Sequence, residues 1–338
     1  MRDFSMDETV NVWVDGRVGR IRLNRPKALN ALDLPMVAQV EAALAKFASM
    51  PEVHAVLVDA TGEKAFCAGG DVRAIRAQGM AGDTAPIAAF FEAEYRMNQT
   101  IADYAKPYVA LVDGICLGGG IGISVHGSHR VASEHAMFAM PETAIALFPD
   151  IGATYLLPRM PGALGMYLAL TGARVLGADA VHVGLATHYV SRARLPALAE
   201  AIAKDGVAVI AAFAEPLPAF TFEPHMGLIN TAFAKPSVGE IVAALEADGG
   251  EFALETLAIL RGHSPSSIHW SFKIVSQGAH RTLPDCLAAE LALVKKITGH
   301  PEFFEGVRAV VVDKDRAPKW QPARLEEVDH AAIDALFA

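Results

Sequence analysis

The spacing of apolar residues changes along the chain and predicts its secondary structure. Between Val10 and Leu23, apolar and polar positions alternate around an Asp15-Gly16 pair, a pattern typical of a β-hairpin. Residues 33–50 instead repeat their apolar positions at helical spacing, and Pro35 stands close to the start, where a helix accepts proline. The chain is therefore predicted to begin with a hairpin followed by a helix.

Strands and helices are predicted to alternate up to about residue 190. The next predicted elements are a strand at 53–58, helices at 71–78 and 85–104, and a strand at 108–112. This alternation favours an α/β domain over residues 1–190. After Ser191 the spacing becomes helical, in segments that begin at Leu195, Val238, Leu283 and Asp329. We expect residues 191–338 to form a mainly helical C-terminal region.

Composition limits the classes of function. The chain has 338 residues, of which 52% are hydrophobic and 20% are charged, so it can bury a large core. Its net charge of −9 argues against a nucleic-acid partner, because phosphates require a basic surface. No uncharged apolar run reaches the ~18 residues that a membrane span needs.

Cysteine usage and the start of the chain bear on location. Cys67, Cys116 and Cys286 are scattered and odd in number, which is typical of a protein in a reducing compartment. The start of the chain, MRDFSMDETVNVWVDG, is polar and mixed in charge, unlike a secretory signal or an Arg-rich transit peptide. On these grounds we expect a soluble cytoplasmic protein.

Two glycine clusters stand where a predicted strand meets a helical stretch. They read AFCAGGDV at residues 65–72 and DGICLGGGIG at residues 113–122. The first N–H groups of a helix have no partner within it, so such a junction can bind a negative centre. Neither cluster has a dinucleotide-binding or P-loop pattern, and the sequence lacks the serine-elbow and zincin signatures. The glycines either permit close packing or present a pair of backbone donors to an oxyanion.

Three carboxylates are candidate functional groups, each with a structural alternative. In MPETAIALFPD, Glu142 and Asp150 each follow a proline within an apolar run. Glu142 either stabilises the first turn of a helix or does chemistry, and Asp150 either caps the segment IGATYLL or binds a ligand. Glu94, in FFEAEY, lies either on a solvated helix face or in a site.

Other side chains near the glycine clusters give weaker signals. His126 and His129 lie three residues apart on the predicted helix after the second cluster, but a metal site needs further ligands, so we expect none. Arg73 and Arg76 follow the first cluster and either bind phosphates or face solvent. Cys67 and Cys116 are expected to be small buried residues rather than nucleophiles.

These motifs resemble the enoyl-CoA hydratase/isomerase (crotonase) superfamily over about residues 8–190. The resemblance rests on AFCAGGDV, VDGICLGGGIG and MPETAIALFPDIGA in this order, together with NRPKALNAL after the hairpin. It implies an α/β, crotonase-like spiral of ββα units that binds an acyl-CoA. It also implies an oxyanion hole for the thioester carbonyl, made by the backbone N–H groups of Gly70 and Gly119. The region of Ala28 would line the adenine end of coenzyme A.

One position departs from the superfamily pattern. Its hydratases have a catalytic Glu three residues after the oxyanion-hole glycine, where this chain has Gly122, and a second one at the position of Glu142. Hydration uses two carboxylates to hold and move water. Simple hydratase activity is therefore not expected, whereas double-bond isomerisation or non-catalytic binding of an acyl-CoA stays open.

Further motifs resemble the branch of the superfamily that hydrolyses short 3-hydroxyacyl-CoA thioesters. They are FFEAEY, HSPSSI and FFEGVRAVVVDKDRAPKW, and the last two extend the resemblance into the C-terminal region. It implies substrate contacts at Glu94, Gly119, Glu142 and Asp150, with Glu142 acting on the thioester and Asp150 assisting. It implies no metal and no cofactor beyond the coenzyme A of the substrate, and a homo-oligomer is compatible with it.

Overall fold

We describe the protein from a computed structural model, which covers residues 8–338. Residues 1–7, on which the expectation of no targeting peptide partly rests, lie outside the described residues. The strands are β1 (Val10–Asp15), β2 (Val18–Leu23), β3 (Ala55–Ala60), β4 (Ala65–Cys67), β5 (Tyr108–Val112), β6 (Ile115–Leu117), β7 (His129–Ala132), β8 (Met137–Ala139), β9 (Val175–Leu176) and β10 (His188–Tyr189).

The helices of the same residues follow. They are α1 (Leu34–Ser49), α2 (Val72–Met80), α3 (Ala85–Ala102), α4 (Gly119–Val125), α5 (Ala153–Leu156), α6 (Leu164–Thr171), α7 (Asp179–His182), α8 (Leu195–Asp205), α9 (Ile210–Phe213), α10 (Met226–Ala232), α11 (Val238–Asp248), α12 (Glu251–Gly262), α13 (Pro265–Gly278), α14 (Leu283–Ile297), α15 (Pro301–Val307) and α16 (His330–Leu336). Within residues 8–338, no helix is both long and apolar enough to cross a membrane.

The chain forms two compact units that interleave along the sequence. The first comprises residues 8–70, 93–138 and 175–220, and the second comprises residues 71–92, 139–174 and 221–338. The predicted boundary after residue 190 marks the end of a catalytic core. The division into compact units does not test where that core ends, so the boundary stays a prediction.

The first unit is built on two sheets. The larger has the strand order β1-β2-β3-β5-β7-β10, and the smaller has the order β4-β6-β8-β9. Strands β1 and β2 form the predicted antiparallel hairpin, while β2, β3, β5 and β7 pair in parallel. Every residue of β5 is buried, as expected for a central parallel strand. The predicted α/β class is confirmed.

Helix α1 begins where its sequence predicted. The Asp33 side chain accepts a hydrogen bond from the Met36 N–H (3.0 Å) and caps the helix, with Pro35 in the first turn. Its buried side chains include Met36, Val40 and Phe47. The predicted strand at 53–58 is shifted by two residues, to Ala55–Ala60.

The chain after Ser191, of which residues 221–338 belong to the second unit, is mostly helical. Every element after Ser191 in the described chain is a helix or a single helical turn, which confirms the predicted character of the C-terminal region. Helix α13 carries the fully buried Trp270 and buries most of its other residues too.

Candidate active site

The two glycine clusters lie side by side in the first unit. Strands β4 and β6 pair in parallel, so the loops that follow them leave the sheet at the same edge. Gly69 has a φ of 98°, and a β-carbon placed on it would lie 3.3 Å from the Leu117 carbonyl oxygen and 3.8 Å from the Gly119 nitrogen. The left-handed backbone at Gly69 thus lets the first cluster approach the start of α4.

Close packing explains why the second cluster consists of glycines. A β-carbon on Gly119 would collide with Glu94 Oε1, and one on Gly120 would collide with the Cys67 carbonyl oxygen. Within residues 8–338, the N–H groups of Gly70 and Gly119 donate to no backbone carbonyl. Close packing of the glycines and donation to an oxyanion are therefore compatible, because the close contacts leave two backbone donors for another acceptor.

The NRPKALNAL loop supports the first glycine cluster. The Leu29 carbonyl oxygen of this loop accepts from the Ala68 N–H (3.0 Å), and the Leu32 N–H donates to the Gly69 carbonyl oxygen (2.8 Å). Ala28, named by the resemblance, is half-buried in the turn Pro26–Ala28 of this loop.

Asn30 holds the loop in place and was missed by sequence reasoning. Its buried amide donates to the Thr61 and Ala65 carbonyls (3.0 Å each), and its Oδ1 accepts from the Arg25 N–H (2.8 Å). Asn30 has a φ of 55°. Asn adopts this left-handed conformation more readily than most residues, so the Asn at this position was the sequence signal for a tight turn in the loop.

Glu94 is buried, so the solvated-face alternative for it is wrong. It is 2% exposed on α3 and lies against Gly119, whereas Glu92 is exposed and pairs with Lys295 at 2.5 Å. Burial raises the pKa of the Cys67 thiol to about 12, and the charge of Glu94 adds to the shift. Cys116 is also buried with a raised pKa. Such thiols make poor nucleophiles, because the thiolate is the reactive form.

Glu142 lies in the second unit, in a single helical turn. Pro141 directly precedes the turn Glu142–Ile145, and Ala146 ends it with a φ of 55°. The Glu142 side chain is only 6% exposed. A buried first-turn acid gains stabilisation from the helix N-terminus, but a turn this short supplies little of it.

The C-terminal helices hold the chain that follows Glu142. The Ser264 N–H donates to the Thr143 carbonyl (3.2 Å), and the Thr143 hydroxyl bonds His263 Nδ1 (2.9 Å). Further along, the Leu147 carbonyl accepts from the Ser267 hydroxyl and from Trp270 Nε1 (3.0 Å). These bonds give the HSPSSI motif a structural purpose, because its serines fix the segment that carries Glu142.

Asp150 does not cap α5, so that alternative is wrong. The helix starts at Ala153 with Gly152 as its N-cap, and Asp150 lies two residues earlier, 4% exposed. Ile151 and Gly152 have φ angles of 57° and 82°, which turn the chain between Asp150 and the helix. The Asp150 carbonyl oxygen accepts from the Ala153 N–H at 2.8 Å.

Glu290, on α14, bonds the start of α5 in place of a local cap. Its carboxylate accepts from the Gly152 N–H (2.7 Å), the Thr154 N–H (3.0 Å) and the Thr154 hydroxyl (2.5 Å). Burial raises the pKa of Glu290 to about 8 against the effect of these donors, and the charge of Asp150 adds to the rise. Sequence reasoning missed Glu290, although it occupies a position of the apolar face of α14, between Leu287 and Leu293.

The remaining candidate side chains near the glycine clusters are two arginines, which bond backbone carbonyls, and two histidines, which do not share a helix. Arg73 and Arg76 donate to the Val311 (2.8 Å) and Phe304 (2.7 Å) carbonyls of the second unit. His126 ends α4 and His129 begins β7, so the prediction that they share a helix is wrong. No group of three or more potential metal ligands occurs among residues 8–338.

The predicted site residues thus fall into two groups. The first unit brings together Gly119, Glu94 and the loop that ends at Gly70, backed by the loop of Ala28. The second unit holds Glu142 and Asp150 on one short segment.

Comparison with known proteins gives the family. The model of a family described as enoyl-CoA hydratase/isomerase matches residues 18–337. The mitochondrial 3-hydroxyisobutyryl-CoA hydrolase of Xenopus tropicalis is 44% identical over 334 residues, 95% of this chain and 86% of the relative. The mitochondrial enzyme of the same name from Homo sapiens is 43% identical over 343 residues, 98% of this chain and 88% of the relative.

Solved structures agree on the fold. A carnitinyl-CoA dehydratase from Mycobacterium thermoresistibile superposes with a TM-score of 0.94 at 40% identity, covering 98% of this chain and 97% of that one. An enoyl-CoA hydratase from Rhodobacter sphaeroides 2.4.1 superposes with a TM-score of 0.93 at 38% identity, with the same coverage.

The expected cytoplasmic location is wrong. The two curated relatives described above are named as mitochondrial proteins. Scattered free cysteines indicate a reducing compartment but do not distinguish one such compartment from another, so they gave no basis for choosing the cytoplasm.

Sequence motifs, fold and relatives lead to the same assignment. The matched region covers nearly the whole chain, and the parallel ββα architecture is the one seen in the related structures. The chain belongs to the enoyl-CoA hydratase/isomerase family and has the crotonase fold.

Proposed function

We propose that the chain hydrolyses a short 3-hydroxyacyl-CoA thioester, with 3-hydroxyisobutyryl-CoA as the preferred substrate. The identity of 44% over 95% of the chain to a 3-hydroxyisobutyryl-CoA hydrolase carries this proposal. The products are 3-hydroxyisobutyrate and free coenzyme A, which corresponds to a step of valine degradation. The proposal includes no metal and no cofactor besides the coenzyme A of the substrate.

Gly122 separates hydrolysis from hydration. It is buried within α4, at the position where the superfamily's hydratases carry their first Glu, and it offers no carboxylate. Adding water to a double bond uses two acids to hold and move the water, and this chain keeps Glu142 alone of that pair. Hydrolysis of a thioester requires a single nucleophile or base.

Backbone donors would stabilise the charge that forms on the substrate. In the proposed reaction the thioester carbonyl oxygen accepts hydrogen bonds from the N–H groups of Gly70 and Gly119, and it gains negative charge in the transition state. Gly119 begins α4, and its N–H donates to no backbone carbonyl within residues 8–338, which supports this role. Removing one such donor typically costs ~100–1000-fold in rate.

Glu142 supplies the chemistry in either of two routes. As a nucleophile, its carboxylate attacks the carbonyl carbon, the C–S bond breaks, and coenzyme A leaves as a thiolate that takes up a proton. Water then hydrolyses the resulting mixed anhydride and restores the carboxylate. As a general base, Glu142 instead takes a proton from the water that attacks the thioester. Asp150 would accept a hydrogen bond from the substrate's 3-hydroxyl group, and Glu94 would line the site beside Gly119.

We also propose that the chain associates into a homo-oligomer, which the resemblance to the superfamily supports.

A second candidate reaction is the reversible hydration or dehydration of an acyl-CoA. It is favoured by the names of the related structures, a carnitinyl-CoA dehydratase and an enoyl-CoA hydratase.

A panel of coenzyme A esters separates these reactions. Free thiol is measured with a chromogenic reagent, and the enoyl group is followed by its ultraviolet absorbance. Thiol release from 3-hydroxyisobutyryl-CoA supports the hydrolase. An absorbance change without thiol release would identify a hydratase, dehydratase or isomerase, and the absence of both signals with measurable coenzyme A affinity would identify a binding protein.

A further inference from the structure

The start of α5 depends on a carboxylate that is far away in the sequence. Glu290 lies 138 residues from Gly152, yet it accepts three hydrogen bonds from Gly152 and Thr154. Its side chain is fully buried, at 0% exposure, on the apolar face of α14. A carboxylate is costly to bury, so a residue chosen for stability alone at this position would be apolar.

The turn next to Glu290 is under strain. Ile151 and Gly152 are both left-handed, with φ angles of 57° and 82°. A β-branched residue such as Ile rarely adopts this conformation, which persists only where the surroundings enforce it. Glu290 accepts from the N–H of Gly152, the residue directly after Ile151, so it restrains the turn from a distant part of the chain.

The same turn determines where Asp150 lies. Asp150 immediately precedes Ile151, and its carbonyl oxygen accepts from the Ala153 N–H (2.8 Å), so its backbone is part of the turn. Relaxation of Ile151 to an ordinary conformation would swing the Asp150 carboxylate away from its present direction. Glu290 itself is completely enclosed, so its side chain does not reach solvent.

We infer that Glu290 is a positioning residue: it fixes the strained turn that carries Asp150, and thereby sets the preference of the enzyme for thioesters with a 3-hydroxyl group. This inference rests on the proposed function. A buried polar group that meets a substrate hydroxyl rejects the analogue without it, but only while the group is held in the right place.

The test compares two substrates in matched variants. The ratio of kcat/KM for 3-hydroxyisobutyryl-CoA to that for isobutyryl-CoA is measured above pH 8, where Glu290 is a carboxylate, for the wild type and for Glu290→Gln. The amide keeps the shape of the side chain but replaces one acceptor oxygen with a donor group, which opposes the Gly152 and Thr154 donors. We expect the ratio to fall by ~10-fold or more, mainly through slower turnover of the hydroxylated substrate.

Glu302→Gln is the matched control. Glu302 is also a buried glutamate of the second unit, but it accepts from the Ser264 hydroxyl (2.5 Å) instead of from α5. Any general loss of stability in this variant should affect both thioesters equally and leave the ratio unchanged. Thr154→Val, which removes one donor to Glu290, should lower the ratio less than Glu290→Gln, and it decides the question if Glu290→Gln does not fold.

The outcomes separate this inference from the proposed function. Wild-type protein that releases no thiol from either thioester would overturn the proposed function and this inference with it. A wild type that prefers the hydroxylated thioester, together with an unchanged ratio in the folded Glu290 or Thr154 variant, would overturn the inference alone. A lowered ratio in these variants, with the wild-type ratio in Glu302→Gln, supports it.

Discussion

The Ser264 N–H donates a hydrogen bond of 3.2 Å to the carbonyl oxygen of Thr143, the residue directly after Glu142. Ser264 also caps α13, since its hydroxyl accepts from the Ser267 N–H at 3.0 Å. The start of α13 therefore holds the short turn that carries the candidate catalytic acid. Motifs far beyond residue 190 thus belong with those of Glu142 and Asp150, because the C-terminal helices support the segment that carries these two candidate residues.

Replacing Ser264 should affect both stability and turnover. Ser264→Ala removes the cap of α13 and a hydrogen bond to Glu302, so we expect the free energy of unfolding to fall by ~1–3 kcal/mol, measured in urea. Because α13 holds the turn of Glu142, kcat should fall roughly tenfold. The matched control is Ser237→Ala, which removes the cap of the more exposed α11 (3.2 Å to the Glu240 N–H) and should leave kcat unchanged. Equal kcat in both variants would contradict this support role.

A methyl group at Gly119 should be poorly tolerated. Its β-carbon would collide with Glu94 Oε1, so Gly119→Ala must displace either the carboxylate or the start of α4. Alanine keeps the backbone N–H but moves it or the carboxylate beside it, so we expect thiol release to fall by up to ~100-fold, the cost of losing an oxyanion-hole donor altogether. Gly239→Ala, in α11 with open space around the new methyl, should be neutral or stabilise the protein by up to ~1 kcal/mol. Near-normal activity of Gly119→Ala would show that this close packing is unimportant.

Glu290 gives stability a distinct pH dependence. Its pKa rises from 4.5 in the unfolded chain to about 8 in the folded protein, so between these pH values the folded state binds more protons than the unfolded state. Stability contributed by this group is therefore full below pH 4.5 and is lost as the pH rises towards 8, by at most ~1.4 kcal/mol per pH unit. Urea unfolding from pH 5 to 8 should show a shallower decline in Glu290→Gln than in the wild type. Parallel pH profiles of the two proteins would mean that Glu290 is ionised throughout.

Asp150→Asn tests recognition of the substrate hydroxyl. The amide keeps the shape of the side chain and loses the charged acceptor, so the preference for 3-hydroxyisobutyryl-CoA over isobutyryl-CoA should narrow from ~100-fold or more. The measurement is kcat/KM for the two thioesters in wild type and variant. If the ratio is the same in both proteins, Asp150 does not bind the hydroxyl.

Local patterns predicted the fold better than the contacts of the site. The hairpin of β1 and β2 and the helix capped by Asp33 follow from alternation and capping, which act over a few residues. Asp150 looked like a cap because the sequence does not reveal that two left-handed residues separate it from α5.

Long-range partners were beyond sequence reasoning. Glu290 bonds a turn 138 residues away, and the Ser267 and Trp270 side chains both donate to the Leu147 carbonyl. No spacing rule connects such positions, since only folding brings them together. The resemblance to the superfamily identified Glu142 and Asp150 as candidates, but it said nothing about the groups that hold them.

Thiol release from 3-hydroxyisobutyryl-CoA by the wild type and by Glu142→Gln tests the central claim most directly. The wild type should release one thiol per substrate consumed, and Glu142→Gln should be at least ~100-fold slower, with coenzyme A affinity by calorimetry within several-fold of wild type. Glu92→Gln, which alters an exposed glutamate paired with Lys295, should keep wild-type turnover. Turnover of Glu142→Gln close to that of the wild type would contradict the account.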